Sequence, residues 1–266
     1  MTQGWSKMGE IRSNIDAQGI ATVTLSNPTR MNAMQLQMWR ALQETMQALS
    51  NDTKVRVVVL RGDGDAAFVS GADISEFESV RATPDAVLIY DEMVEAAEDA
   101  IGACRKPVIA AISGVCYGGG LGIALSCDLR YSNHDARFCL PAGKLGLGYG
   151  LDDVRRMHRI LGTANATELL LTANVYKGPQ AVSLGLAHAC VDDVFTHAQT
   201  VAERVASFAP LTLRSVKMAL QHLGQVVGAP SPDEISAAVT ACFDSEDYVE
   251  GRQAFAEKRT PNFKGR

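Results

Sequence analysis

Short runs of alternating or continuous apolar residues in the first half of the chain predict β-strands. Residues 20–25 (IATVTL) place apolar side chains at alternate positions, as expected for a strand with one buried face. Residues 55–60 (VRVVVL) and 107–113 (PVIAAIS) are richer in aliphatic and β-branched residues, which indicates strands that are buried on both faces. A glycine follows each of these two runs and predicts a turn.

Helical spacing of apolar residues fills the intervals between the predicted strands. Residues 34–49 carry an apolar side chain at every third or fourth position, which predicts an amphipathic helix. Residues 86–104 are predicted to form a second helix. The apolar positions of the first helix are Met34, Met38, Leu42, Met46 and Leu49.

One arrangement occurs twice: a β-branched strand runs through a glycine loop into a helix. The two copies are residues 57–74 (VVVLRGDGDAAFVSGADI) and 108–125 (VIAAISGVCYGGGLGIAL). This pattern predicts an α/β fold built as a small spiral of stacked strand–strand–helix turns, and it argues against a doubly wound sheet. The copies differ too much to be a sequence repeat.

Past residue 150 the sequence predicts helices almost exclusively. We expect a spiral core in residues 1–200 and a helical C-terminal segment in residues 201–266, because helices without strands often pack between subunits or cover a sheet. Residues 224–232 (GQVVGAPSP) are predicted to be a linker. The predicted helices span residues 153–161, 164–171, 179–184, 195–208, 211–223 and 232–258.

Composition and charge restrict the classes of function. The chain has 266 residues and a formal net charge of −5, which argues against a general nucleic-acid-binding protein because such domains are usually basic. No apolar stretch approaches the roughly 18 residues of a membrane helix, and the N-terminus shows no apolar segment typical of a secretory signal. The cysteines form no C-x-x-C pair and the histidines are scattered, so buried thiols and no metal site are expected. We therefore expect a cytoplasmic protein without nucleic-acid or membrane partners.

Two glycine-containing loops are candidates for a binding site. Residues 68–74 (FVSGADI) and 114–122 (GVCYGGGLG) each follow a predicted strand. Glycine allows a close approach of the backbone to a ligand, and glycines at a helix start leave N–H groups free at its positive end. Such groups suit a phosphate or an oxyanion, although either loop alone is better explained as a tight turn with close packing. Neither loop matches the nucleotide-binding patterns G-x-G-x-x-G or G-x-x-x-x-G-K-[ST].

Three segments together resemble the enoyl-CoA hydratase/isomerase (crotonase) family. They are SGAD, then SGVCYGGG, then the C-terminal GRQAFAEKRTPNFKGR, and the resemblance extends over nearly the whole chain. It implies a crotonase-like spiral with a helical C-terminal part. It also implies an oxyanion hole for a thioester carbonyl, formed by the backbone N–H groups of Ala72 and Gly119. The substrate or ligand would be a coenzyme A thioester, with no tightly bound cofactor.

The resemblance also implies which residues contact coenzyme A. They are the backbone before the first long helix, the SGADI segment against the adenine, and an aromatic residue and a lysine near the C-terminus. The last two often come from a neighbouring subunit, since family members usually form homotrimers or dimers of trimers, and a lysine suits phosphates as a point charge. The implied residues are Arg30, Asn32, Ala33, Ser70, Gly71, Asp73, Ile74, Phe255 and Lys258.

The sequence departs from the family pattern at both positions where hydratases carry a catalytic glutamate. The matching residues are Gly122 and Ala142, and neither side chain can act as a general acid or base. The departure favours isomerisation, decarboxylation or the making and breaking of C–C bonds over hydration, because these reactions do not all require two glutamates.

The glycine-rich loop of residues 142–153 (AGKLGLGYGLDD) offers possible replacements. Some relatives carry a working aspartate in this loop, which makes Asp152 and Asp153 candidate acid/base groups. Both aspartates are also suited to capping the following helix and complementing its dipole. Tyr149 is a candidate hydrogen-bond donor at the mouth of the site, and Lys144 is expected to be a surface charge.

Two other pairs of reactive side chains are expected to have no catalytic role. Glu76 and Glu78 follow the SGADI segment and are expected to be solvated. Cys116 and Cys139 flank the loops without a histidine close in sequence, so we expect inert buried thiols rather than nucleophiles.

Three functions stay open at this level. The first is a lyase or isomerase that acts on an acyl-CoA thioester with a nonstandard acid/base group. The second is a non-catalytic acyl-CoA-binding protein, which the missing carboxylates favour. The third is a conventional enoyl-CoA hydratase whose acid/base groups lie at unrecognised positions.

Overall fold

The computed structural model describes residues 9–226 and 228–266. Within those ranges the chain forms ten strands, eleven α-helices and two short 3-10 helices, Pro28–Arg30 and Ile74–Glu76. In chain order, the strands are β1 (Glu10–Ile15), β2 (Ile20–Ser26), β3 (Val57–Gly62), β4 (Ala67–Val69), β5 (Val108–Ile112), β6 (Val115–Tyr117), β7 (Leu129–Asn133), β8 (Arg137–Cys139), β9 (Tyr176–Lys177) and β10 (Ala189–Val191). The α-helices are α1 (Leu36–Asn51), α2 (Phe77–Val80), α3 (Pro84–Gly102), α4 (Gly119–Ser126), α5 (Ala142–Leu145), α6 (Leu151–Thr172), α7 (Gly178–Leu184), α8 (Val194–Ala206), α9 (Pro210–Leu223), α10 (Pro232–Phe243) and α11 (Glu246–Glu257).

The strands form two sheets, and the chain alternates between them. The larger sheet has the order β1-β2-β3-β5-β7-β10, and the smaller sheet has the order β4-β6-β8-β9. Strands β3, β5 and β7 are each followed directly by a strand of the smaller sheet, and each pair lies parallel to the next. The chain is therefore a spiral of strand–strand–helix turns, as predicted, and it is not a doubly wound sheet.

The central strands of the larger sheet are buried on both faces, which accounts for their continuous apolar runs. Val57 and Val59 of β3 pack in a cluster with residues of α8, whereas Val58 and Leu60 join the main core with Trp39 of α1. Successive residues of a strand point to opposite faces, so this division follows from the two-residue period. The five apolar positions predicted for the first helix are all buried.

Several local predictions differ from the structure. Strand β1 was not predicted, because its sequence is mostly polar and exposed, and antiparallel pairing with β2 holds it. The single helix predicted over residues 232–258 is two helices, because Ser245 begins a new one by accepting a hydrogen bond from the N–H of Tyr248. By contrast, the break predicted near residue 162 is confirmed: α6 consists of two helical segments joined at a kink, where Gly162 has a non-helical φ of +69° and ψ of 170°. Strands β9 and β10 are too short to show a pattern, and pairing with β8 and β7 defines them.

The C-terminal helices follow the spiral core. The predicted division at residue 200 falls within α8, which packs on β3, β5 and β7 of the larger sheet. After α8, helices α9 and α10 pack against each other, and the division of the chain into these two parts stays a prediction. The predicted role of this segment in oligomerisation stays a prediction. Across residues 9–226 and 228–266, no helix is both long and apolar enough to cross a membrane.

Helix α4 approaches its neighbours closely because it begins with glycines. A Cβ atom on Gly120 would lie 2.8 Å from the Cβ of Val69 in β4 and would overlap the carbonyl oxygen of that residue. A Cβ atom on Gly119 would lie 2.9 Å from the ring of Trp39. The absence of side chains therefore sets the position of the α4 N-terminus against β4 and α1.

We expect Gly120→Ala to lower the free energy of unfolding by about 1–3 kcal/mol, because the added methyl group must displace the backbone of β4. Gly143→Ala is the matched control, since a Cβ atom on Gly143 in α5 meets nothing within 4 Å. Alanine should keep or raise stability there, because it is the better helix former. Urea denaturation of both variants measures the difference, and equal stability of the two would contradict the packing role of Gly120.

Candidate active site

The loop after β4 presents the backbone N–H of Ala72. Gly71 adopts a φ of +114°, a conformation that favours glycine. The N–H of Met34 donates to the carbonyl of Gly71 at 2.8 Å, and the N–H of Asp73 donates to the carbonyl of Met34 at 2.9 Å. These bonds fix the backbone on both sides of Ala72, and the N–H of Ala72 itself donates to no acceptor in the described part of the chain.

The second loop presents the N–H of Gly119 at the start of α4. Gly118 precedes it with φ of 51° and ψ of −122°, and its N–H donates to the carbonyl of Cys139 at 3.0 Å. The N–H groups of the first helical turn have no partner within the helix and lie at its positive end. The two loops touch, since a Cβ atom on Gly118 would lie 3.8 Å from the Cα of Gly71.

A cavity of about 210 Å³ opens between these loops and helices α1, α3 and α6. Both Ala72 and Gly119 line it. Its wall is largely apolar, with a few polar groups, as is typical of small-molecule sites. The apolar lining includes Trp39, Phe77, Val94, Leu145 and Met157, and the polar and charged lining includes Arg81, Tyr90, Asp91, Glu98, Tyr149 and Asp153.

Glu98 of α3 is a buried carboxylate in this cavity. The residue is 3% exposed. A Cβ atom on Gly122 would lie 2.9 Å from the Cδ of Glu98 and would overlap Oε1. The carboxylate of Glu98 therefore occupies the space in which a side chain at position 122 would begin.

Arg156 of α6 binds the other oxygen of this carboxylate. Its guanidinium donates to Oε2 of Glu98, and it also lies 3.5 Å from Asp99 and 3.6 Å from Asp153. Burial raises the pKa of Glu98 to about 7; the cation of Arg156 opposes this rise, and the charges of Asp153 and Asp99 add to it. Burial likewise raises the pKa of Asp153, against the effect of Arg156.

The family of this chain follows from comparison with known proteins. The sequence profile described as enoyl-CoA hydratase/isomerase matches residues 16–266. The chain belongs to the enoyl-CoA hydratase/isomerase family. This confirms the resemblance in the sequence.

Individual relatives cover almost the whole chain. It is 31% identical over 244 residues to the short-chain-enoyl-CoA hydratase of Clostridium acetobutylicum, covering 90% of this chain and 92% of the relative. It is 31% identical over 270 residues to the peroxisomal Delta(3,5)-Delta(2,4)-dienoyl-CoA isomerase of Arabidopsis thaliana, covering 95% of each. A crystal structure described as an enoyl-CoA hydratase/carnithine racemase from Magnetospirillum magneticum matches with a TM-score of 0.91 at 36% identity, covering 98% of this chain and 97% of that one.

Both positions that the family resemblance assigns to hydratase glutamates lie at the cavity. Gly122 and Ala142 line it and are buried, and neither supplies an ionisable group. Glu98 was not singled out from the sequence. The helical period does place it on the apolar face of α3, between Val94 and Ile101, and a charged residue in such a stripe is the signal that marks it.

Of the candidate acid/base and hydrogen-bonding residues in the loop of residues 142–153, some line the cavity and others do not. Tyr149 lines the cavity, and burial raises its pKa to about 12, so its phenol stays protonated and able to donate a hydrogen bond. Asp153 also lines the cavity, whereas Asp152 pairs with Arg155 and is not part of its lining. The capping interpretation was wrong in detail: α6 begins at Leu151, so both aspartates lie in the first turn, where they complement the dipole without capping the helix.

The residues that the family implies for coenzyme A divide into two groups. Ser70, Gly71 and Ile74 line the cavity. Asn32 is buried: its side-chain amide donates to the carbonyls of Asp63 and Ala67, and its backbone N–H donates to the carbonyl of Asn27 at 2.8 Å.

The other implied coenzyme A residues lie around the cavity or away from it. Arg30 and Ala33 belong to the turn before α1, and Asp73 is buried and accepts hydrogen bonds from Ser75. Phe255 and Lys258 lie at the end of α11 and do not line the cavity of their own chain.

The remaining reactive side chains have structural roles. Cys116 and Cys139 are buried, and burial raises the pKa of both thiols, as expected for unreactive cysteines. Glu76 is not simply solvated as predicted, because its carboxylate accepts a hydrogen bond from the N–H of Leu36 at the start of α1; Glu78 is exposed. Among the described residues, no group of histidine, cysteine and acidic side chains is arranged to hold a metal.

The buried carboxylate predicts a pH-dependent stability. The folded protein holds the proton of Glu98 up to about pH 7, whereas the ordinary pKa is 4.5. The folded state therefore binds this proton more tightly, and its contribution to stability is full below pH 4.5 and is lost as pH rises through 7. Because a tenfold difference in proton affinity corresponds to about 1.4 kcal/mol, we expect wild type to lose roughly 3 kcal/mol relative to Glu98→Gln over this window. The measurement is the free energy of unfolding of both proteins from pH 4.5 to 8.

Glu92→Gln is the control, because Glu92 is an exposed carboxylate on the same helix. This variant should follow the wild-type curve. If Glu98→Gln follows that curve as well, the buried carboxylate does not take up its proton in the way described.

Proposed function

We propose that this chain is an enzyme that acts on acyl-CoA thioesters and stabilises an enolate of the acyl group. The observation that carries the proposal is the pair of unbonded backbone N–H groups, of Ala72 and Gly119, that line one cavity. Two donors that meet one oxygen suit a thioester carbonyl on which negative charge develops. Names of relatives in the family, such as short-chain-enoyl-CoA hydratase and dienoyl-CoA isomerase, agree with this substrate class.

The physical basis of the proposal is electrostatic preorganisation. Donors that already point at the site of developing charge stabilise the transition state without reorganising, and each is worth about 3–4 kcal/mol in a water-excluded site. The hydrogen bonds of Met34 fix the Ala72 donor, and α4 adds its dipole to the Gly119 donor. Backbone donors require no particular side chain, which is why alanine and glycine suffice at these positions.

The reaction class follows from the missing glutamates. Hydration in this family uses one carboxylate at position 122 and another at position 142, and this chain carries neither. Double-bond isomerisation needs only one group that removes and returns a proton, and decarboxylation or C–C bond chemistry also proceeds through an enolate. We therefore favour these reactions, isomerisation first.

The coenzyme A moiety is proposed to lie along the loops that lead into the cavity. The backbone around Arg30, Asn32 and Ala33 would contact it, and Ser70, Gly71, Asp73 and Ile74 would form the surface near the adenine. Phe255, which is 87% exposed, and Lys258 would reach the coenzyme A of a neighbouring subunit in a homotrimer or a dimer of trimers. No tightly bound cofactor is required.

Two other functions each have one observation in their favour. A non-catalytic acyl-CoA-binding protein would explain why positions 122 and 142 carry glycine and alanine. A conventional enoyl-CoA hydratase would agree with the hydratase named above, and it would require other groups to hold the water.

Mass spectrometry of coenzyme A thioesters incubated with the protein in deuterated water separates these functions. The panel contains saturated, enoyl and malonyl-type thioesters. We expect deuterium at the α-carbon of saturated thioesters. In a 3-enoyl substrate whose double bond has shifted, we expect deuterium at the γ-carbon, located by fragmentation of the acyl group. Added water would instead establish a hydratase, and binding in calorimetry without any change in mass would establish a non-catalytic binding protein.

The oxyanion hole is tested by two substitutions at one position. Gly119→Pro removes the N–H, whereas Gly119→Ala keeps it and introduces the same contact with Trp39. We expect the proline variant to be about 100- to 1,000-fold slower than the alanine variant in α-proton exchange, because it lacks one of the two donors. Equal rates in the two variants would contradict a role for this N–H.

A further inference from the structure

We infer that Glu98 of α3 is the group that moves the substrate proton, in place of the glutamate that is absent from position 122. The inference deepens the proposed function and rests on it, because it names the acid/base group of the same cavity. Three features of the structure carry it: the position of the carboxylate, its pairing and its access to the cavity.

The carboxylate of Glu98 occupies the space in which a side chain at position 122 would begin. The added Cβ on Gly122 would lie 2.9 Å from Cδ and 3.3 Å from Oε2 of Glu98, and it would overlap Oε1. Any side chain at position 122 would therefore displace this carboxylate. Glycine at 122 and glutamate at 98 thus form a complementary pair across the packed helices α4 and α3.

The pairing of Glu98 leaves one oxygen for a substrate. Arg156 donates to Oε2, and within the described residues Oε1 accepts no hydrogen bond. Glu98 lines the cavity together with Ala72 and Gly119, so the carboxylate and the oxyanion donors border the same space. A group that takes a proton beside a forming oxyanion needs this arrangement.

The charges around Glu98 keep its proton affinity in a useful range. Helix α6 contributes Arg156, which stabilises the anion, and Asp153, which opposes it. Asp99 of α3 also opposes the anion, and the phenol of Tyr149 lies in the same cavity wall. Helix α4 contributes no ionisable side chain along its length. The pKa of about 7 supports a general base that is ionised, and still able to return its proton, near neutral pH.

The proposed step balances without another reactant. Oε1 of Glu98 takes the α-proton of a 3-enoyl thioester, and the electron pair of that C–H bond moves into the conjugated system. The negative charge on the thioester oxygen is held by the N–H groups of Ala72 and Gly119. The neutral Glu98 then gives its proton to the γ-carbon, which moves the double bond from the 3 to the 2 position.

The first test is the rate of isomerisation and of α-proton exchange of a 3-enoyl-CoA with Glu98→Gln. We expect a loss of about 100-fold or more, because the amide cannot accept the proton. The affinity for the thioester, measured by calorimetry, should stay close to that of wild type. Glu92→Gln, exposed on the same helix, is the matched control and should keep the wild-type rate.

The second test moves the carboxylate from one helix to the other. Glu98→Ala combined with Gly122→Glu removes the carboxylate from α3 and supplies one from α4. We expect this double variant to be about tenfold or more faster than Glu98→Ala alone. A double variant that folds and binds the thioester but gains no rate would overturn the idea that the two positions serve one role.

The third test separates chemistry from a merely structural role. The wild-type rate should rise with pH along a limb near pH 7, since the base must be ionised. Arg156→Gln should move that limb to higher pH, because the anion loses its cation, and Asp153→Asn should move it to lower pH, because the anion loses a neighbouring charge. If Glu98 only stabilised the packing of α3 against α6, the pH at which the rate rises would be the same in both variants as in wild type.

Failure of this inference differs from failure of the proposed function. An active wild type whose Glu98→Gln variant is equally active overturns the role of Glu98 and leaves the proposed function intact. The same holds if Asp153→Asn, and not Glu98→Gln, abolishes the reaction. A wild type that binds thioesters but exchanges no proton overturns the proposed function and, with it, the role of Glu98.

Discussion

The close approach of α4 to its neighbours is the constraint on which the site depends. Glycines in this helix let its backbone lie against β4, α1 and α3 so closely that a side chain would force its neighbours to shift. The approach places the Gly119 N–H at the cavity and brings α4 within reach of the Glu98 carboxylate. The spiral of paired strands supplies the fixed ends to which the two loops are attached. Side-chain volume, more than any single hydrogen bond, therefore decides the geometry of the cavity.

The stability of the core does not by itself account for the buried ion pair of Glu98 and Arg156. Removing two charges from water is expensive, and apolar residues of similar size often serve stability as well or better. The pair stands at the junction of α3, α4 and α6, beside a cavity that carries two unbonded N–H groups. Perturbed carboxylates in clefts are enriched at functional sites. The location and the cost together favour a functional role for this charge.

The sequence predicted the spiral and the two loops because each rests on a local pattern. Continuous apolar strands followed by glycine fix the turns of the spiral, and glycine at residues 71 and 118–120 fixes the loops. Elements defined by pairing alone, such as β1, were not predicted, because backbone hydrogen bonds need no particular side chains. Glu98 was not predicted as a site residue for a related reason: it is distant in sequence from Gly122, and only the packing of α3 on α4 brings the two together. The absence of glutamates at positions 122 and 142 could be predicted from the sequence, but the presence of the Glu98 carboxylate beside position 122 could not.

The overlap between positions 98 and 122 also limits the order in which this site can change. In a chain that carries glutamate at both positions, the Cβ of residue 122 would overlap the Glu98 carboxylate, so that carboxylate would have to move. Substitutions at the two positions are therefore coupled and not additive. Any mutational route between a carboxylate on α4 and one on α3 passes through an intermediate that is empty at both positions or crowded at both. A library built to move the carboxylate between these helices should therefore vary positions 98 and 122 together.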